Sequence, residues 1–246
     1  MRNLALLLSF NGSKYHGWQR QKNAVTVEET LSNAIYKITG EQASIIGCSR
    51  TDAGVHALGY VCNFKSNTKI PTEKLPLALN TALPNDIRTL KCKRVADDFH
   101  SRFCAVSKTY IYKVYSDVIS NPLLKDFVYH FPYELNYSKM ERATLPFIGT
   151  HDFSAFMSSG SSQVTTVREV IDFHVSKENN HFNFEITANA FLYNMVRIII
   201  GTVLYVGIGK IQLQDIEQII ACRDRKRSGI TAGPEGLYLS SVKYNE

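Results

Sequence analysis

The sequence predicts an α+β fold made of two similar halves, and three observations predict it. Apolar runs of strand length alternate with runs of helical spacing along the whole chain. The order of these runs, β-α-β-β-α-β, recurs after about residue 105. The composition, 44% hydrophobic and 20% charged over 246 residues, is that of a globular chain long enough to bury a substantial core.

In the first half, Leu4–Phe10 is an apolar strand, too short for a secretory core and without a small-residue cleavage pattern. Residues 27–39 place Val27, Leu31, Ala34, Ile35 and Ile38 at helical spacing. Residues 43–48 and 58–65 read as two strands. Residues 71–83 read as a helix with Pro71 early in it, where a missing N–H costs least, and 87–95 as a closing strand. In the second half, 108–115 is a strand with Tyr110, Tyr112 and Val114 on one face and Thr109, Ile111 and Lys113 on the other. Residues 137–148 read as a helix, and 167–175 and 182–187 as strands around a turn at Glu178–Asn180. Residues 191–206 form a long apolar helix, about half a membrane span, whose approach is broken by Asn194 and Arg197. An added helix follows over 211–221, and 237–243 is the last strand. Each half is thus a split βαβ, or ferredoxin-like, unit with an antiparallel sheet and helices on one face. The expected units are 1–105 and 106–246, their sheets joined around a basic cleft wide enough for a large ligand.

The net charge of +6 leans toward anionic partners. Basic residues cluster at Lys91, Lys93 and Arg94 and at Arg223, Arg225, Lys226 and Arg227, which fits either a solvated face or a polyanion site. Five scattered cysteines form no Cys-x-x-Cys pair, which argues against a disulfide scaffold or zinc site and for buried free thiols in a reducing cytoplasm. The chain contains no phosphate-binding glycine loop, dinucleotide turn or Ser-His-Asp elbow.

The chemistry concentrates in Gly47-Cys48-Ser49-Arg50-Thr51-Asp52-Ala53-Gly54-Val55-His56-Ala57. A guanidinium two residues before a carboxylate favours its ionised form, as an oriented nucleophile requires. Gly54 lacks the Cβ that would limit approach of a bulky substrate. The same residues also make a structural ion pair and an ordinary Asx-turn. Tyr110 shares a strand face with Lys108, an arrangement suited to stacking a flipped or single-stranded base, or to the core; for Tyr112 the core is the expectation. Arg197, in an almost wholly apolar segment, must be paired, either in a helix-to-sheet salt bridge or facing the cleft toward Asp52 or a phosphate. Residues 10–21 carry Lys14, Trp18 and Arg20 among glycines and aromatics; they either track a nucleic-acid backbone or form a loop that Trp18 anchors. His16, His56 and His100 lack the spaced partners of a metal site, so no metal is expected.

Taken in order, these stretches resemble the TruA family of tRNA pseudouridine synthases over nearly the whole chain. The resemblance runs through Gly17-Trp18-Gln19-Arg20-Gln21, Arg50–Ala57, Phe99-His100-Ser101-Arg102-Phe103 and Lys108–Tyr112, then Phe191–Arg197 and Pro234–Leu239. It implies that Asp52 is the catalytic aspartate and nucleophile, with Arg50 its ion-pair partner and Arg197 a basic residue contacting it. It also implies that Tyr110 stacks on the target base and that Leu239 lies in an active-site strand. Lys108, Arg20, Arg102 and His56 complete the expected substrate-binding set. The implied activity is isomerisation of uridines at positions 38–40 of the tRNA anticodon stem-loop, without cofactor or metal, by a cytoplasmic homodimer away from any membrane. The chain departs from the family pattern at Asn11, Ser49, Tyr193-Asn194 and residues 230–234. The rival reading is a non-catalytic RNA-binding protein of two RRM-like units, which share this element order. Residues 58–64 fit the aromatic RRM motif loosely, and Arg50, Asp52 and Arg197 would then have no role.

Overall fold

The computed structural model describes residues 1–160 and 164–245. The elements run β1 (Arg2–Phe10), α1 (Val27–Thr39), β2 (Ile46–Gly47), β3 (His56–Ser66), α2 (Leu75–Asn80) and β4 (Ile87–Arg94). They continue with β5 (Ala105–Ser116), β6 (Tyr129–Phe131), α3 (Tyr137–Thr144), β7 (Gly149–Asp152), β8 (Val167–Glu178) and β9 (His181–Ala188), then α4 (Met195–Gly207), α5 (Asp215–Cys222) and β10 (Leu237–Tyr244).

The chain divides into two compact units. One contains residues up to Val106 together with the C-terminal strand from Tyr238; the other is Ser107–Leu237. The division falls at 106/107, and the last strand groups with the first unit. β10 pairs in parallel with β3, setting Tyr238 opposite His56 and Leu239 opposite Ala57.

In the first unit the strand order is β4-β1-β3-β10, with β2 also paired to β3. β1 is antiparallel to both β3 and β4. Leu4, Leu6, Leu8 and Phe10 alternate along β1 and are all buried, the period-2 pattern that sets its register. α1 spans the expected residues because both of its ends are coded locally. The Thr26 side chain accepts from the Glu29 N–H, and Gly40 closes the helix in the left-handed region with φ 75°. Its stripe of Val27, Leu31, Ala34 and Ile35 is buried, and each large aliphatic member contributes roughly 1.5–3 kcal/mol. The helix expected over 71–83 is shorter. The N–H groups of Lys74 and Leu75 both donate to the Pro71 carbonyl, making a turn, and Pro76 rather than Pro71 occupies the first helical turn. β2 keeps two residues of the six expected.

In the second unit the order is β5-β9-β8-β7, all antiparallel, with β6 parallel to β5. β6 and β7, of three and four residues, carry no periodic signal long enough to read from sequence. The helix expected over 137–148 ends at Thr144, and Pro146 lies in the 3₁₀ turn that follows. α4 begins at Met195 rather than 191 because Asn194 has φ 61° and cannot continue a helix. α5 begins at Asp215, after Lys210 and Ile211 have both donated to the Tyr205 carbonyl in a chain reversal. Among the described residues no helix is long and apolar enough to cross a membrane. All five cysteines are free, but only Cys48 and Cys62 are buried; Cys104 and Cys222 are exposed.

Candidate active site

Asp52 opens a tight turn. The Val55 N–H donates to the Asp52 carbonyl at 3.2 Å, and Gly54, third in the turn, has φ 81°. A positive φ at that position is the type II requirement, which glycine meets without a steric penalty. Gly54 is therefore needed to form the turn, a different reason from the substrate clearance expected of it. The Asp52 side chain is half-buried, and the Thr51 before it is buried.

Residues 12–18 clamp this turn from the side. The Gly54 N–H donates to the Tyr15 carbonyl at 3.1 Å and the Trp18 N–H to the Thr51 carbonyl at 3.3 Å. The Tyr15 hydroxyl is held by Asp86 at 2.7 Å, and both burial and that carboxylate raise its pKa. Gly12 lies so close to Val55 that an ideal Cβ would stand 1.9 Å from the Val55 carbonyl oxygen. Trp18 is buried and stacks on Tyr60 at 4.1 Å, while the Tyr60 hydroxyl donates to the Ser49 carbonyl. Of the two readings of this loop, Trp18 takes the anchoring one.

His56 follows the turn and is 1% exposed. Its Nδ1 accepts the Gly12 N–H at 3.1 Å, and its ring lies flat on Tyr238 at 4.6 Å. In this conformation the ring has no surface to offer a substrate; it ties together the turn, the clamp and β10. Burial pushes the Tyr238 phenol up to about 12. Leu239 is fully buried beside it on β10. Arg50 is exposed. Arg20 is also exposed and bridges Glu29 at 3.1 Å. Arg102 is exposed on the turn before β5, its guanidinium 5.6 Å from the centre of the Phe103 ring.

In the second unit, the expected alternation along β5 is present. Lys108, Tyr110, Tyr112 and Val114 are buried on one face. Tyr110 keeps 6% and Lys108 9% of its surface exposed, and the Tyr110 ring meets Phe191 edge-on at 5.0 Å. Tyr112 is a core residue, as expected, and its hydroxyl donates to the Gly233 carbonyl at 2.6 Å. Burial raises its pKa well above the ordinary phenol value, with the Glu235 charge adding to the effect. Arg197 leaves the first turn of α4 half-buried. Its Nε donates to the Ala232 carbonyl at 2.7 Å and its guanidinium to Asn194 Oδ1 at 2.8 Å. Asn194 is the left-handed residue that starts α4, and it also donates to Ser158 Oγ at 2.9 Å. Burial raises the Glu235 carboxyl, partly offset by its own backbone N–H and by Arg197.

The two basic clusters differ. Lys91, Lys93 and Arg94 are exposed on β4. In the other, Arg225 is turned inward to Ser228, Gly229 and Thr231, and Arg223 bridges Asp152 at 3.2 Å.

A family model described as tRNA pseudouridine synthase matches residues 7–104 and 143–245. The tRNA pseudouridine synthase A of Thermoanaerobacter sp. strain X514 is 51% identical over 244 residues, covering 99% of this chain and 100% of the relative. That of Acetivibrio thermocellus is 50% identical with the same coverage. An archaeal box H/ACA sRNP Nop10–Cbf5 complex aligns with 90% of this chain and 68% of its own at 11% identity, but a TM-score of 0.37 is too low to bear on the fold. The chain belongs to the tRNA pseudouridine synthase family, and the reading as a non-catalytic RRM-like protein falls away.

Proposed function

We propose that this protein isomerises uridine to pseudouridine at positions 38–40 of the tRNA anticodon stem-loop, with Asp52 as its nucleophile. The observation that carries the assignment is the half-buried Asp52 carboxylate at the corner of a turn clamped by Gly12, Tyr15 and Trp18, in a chain of this family. The reaction breaks the N1–C1′ bond and forms a C5–C1′ bond; C5 gives up its proton and N1 takes one up, so the overall formula is unchanged. An oriented, ionised carboxylate suits such a step at a sugar–base junction. The target nucleotide leaves the stem at a cost of a few kcal/mol, which basic contacts to phosphates offset. Tyr110 holds the detached base and Arg197 supports the aspartate, the roles that the family resemblance implies for them. Lys108, Arg20 and Arg102 contact the RNA. We further read the two units as ferredoxin-like and the working form as a cytoplasmic homodimer.

The test is Asp52→Asn assayed by tritium release from tRNA carrying 5-tritiated uridine. Loss of release by a factor of about 10³ or more is expected, with tRNA affinity retained. Turnover comparable to wild type would remove Asp52 from the nucleophile role.

A further inference from the structure

Phe103 is 75% exposed, yet it sits on one of the most firmly anchored turns of the first unit. The Cys104 N–H closes the turn onto the His100 carbonyl at 2.9 Å. The N–H groups of Arg102 and Phe103 both converge on His100 Nδ1, at 3.2 and 3.3 Å. Ser101 is fully buried between them, its N–H and hydroxyl both donating to Asn63 Oδ1, at 2.9 and 2.6 Å. The Tyr244 hydroxyl donates to the Ser101 carbonyl at 2.8 Å. A turn held this way fixes the direction of the side chains it displays.

Those side chains form an ordered group. The Phe103 ring is stacked on the His100 imidazole at 4.2 Å with 29° between planes, and the exposed Arg102 guanidinium stands 5.6 Å from the ring centre. Single exposed apolar residues are common and mean little alone. A rigid, preformed stack of two rings beside a free cation is different: it matches an unpaired nucleobase, with its π-face, next to a phosphate. Val118, Ile119 and Leu123 are also exposed but carry no aromatic ring.

We propose that the His100–Cys104 turn is a stacking platform for one unpaired nucleobase of the RNA substrate, with Phe103 as the stacking ring and Arg102 on a flanking phosphate. This rests on the tRNA reading above and adds a base contact that the catalytic aspartate does not supply.

The test uses the full chain and unmodified tRNA. Phe103→Ala and Phe103→Leu should raise the tRNA Kd roughly 5- to 100-fold, the range expected for one lost base stack, with the salt dependence of binding unchanged. Arg102→Ala should weaken binding and lower the slope of log K against log salt by about 1. Phe103→Trp should retain affinity and be quenched on tRNA binding; the native Trp18 is buried against Tyr60, so the new signal stands apart. An unchanged Kd in Phe103→Ala, with wild-type binding and turnover normal, overturns the platform alone. Changed oligomeric state with unchanged RNA affinity also overturns it and makes the ring a protein contact. Wild-type protein that neither binds tRNA nor releases tritium overturns the functional reading itself.

Discussion

Gly12→Ala tests whether the clamp around residues 51–55 governs the reaction. The new Cβ would stand 1.9 Å from the Val55 carbonyl oxygen, and both partners are backbone-bound, so no flexible side chain can swing away. Ordinary contact needs about 3.5 Å, so the two segments must part by roughly 1.5 Å at this point. Val55 closes the turn that Asp52 opens, and the Gly12 N–H also holds His56, so the displacement passes directly to the carboxylate. Misplacing a reacting group by about 1 Å costs on the order of 100-fold in rate, and overpacking costs about 1–3 kcal/mol of stability. Single-turnover tritium release should therefore fall about 100-fold, while filter binding of tRNA stays near wild type because phosphate contacts dominate affinity. Urea unfolding should show the accompanying stability loss. Wild-type turnover together with an unchanged unfolding midpoint would refute the reasoning, because it would mean the two loops part without moving Asp52.

Two further outcomes probe the second unit. Asn194→Ala should destabilise the protein more than Asn194→Gly, by about 1 kcal/mol or more in urea unfolding. Both variants lose the bonds to Arg197 and Ser158, but only alanine is strained at φ 61°. Equal losses would show that the left-handed backbone is not under selection by its side chain. Glu235 has a folded-state pKa above its ordinary 4.5, so its contribution to stability is present at lower pH and is lost as pH rises through the raised value. Glu235→Gln has no proton to lose, and its unfolding free energy should fall less between about pH 4 and pH 7 than that of wild type. Identical pH slopes would show that burial of this carboxyl carries no stability cost.

What was legible in the sequence was chiefly local. The Asp52 segment was recognisable because its residue types and spacing are themselves the chemistry. The left-handed φ of Asn194 and the close backbone approach at Gly12 were not, because neither leaves a periodic trace. Phe103 lay inside a recognised stretch, but nothing in its neighbours showed that it would be exposed.

α1 was written into the sequence from cap to cap, because Thr26 and Gly40 act on backbone groups within a few residues of themselves. So was the buried face of β5, because a strand alternates sides every residue. The tertiary structure decided what those elements meet: β10 pairs with β3, and a loop 40 residues away grips the Asp52 turn. It also left Arg50 in solvent and Lys108 and Tyr110 with little exposed surface. The physical reason is range. Caps and alternation act between near neighbours in the chain, whereas the partner of a strand, the burial of a cation and the φ of a turn glycine are settled by contacts between distant segments.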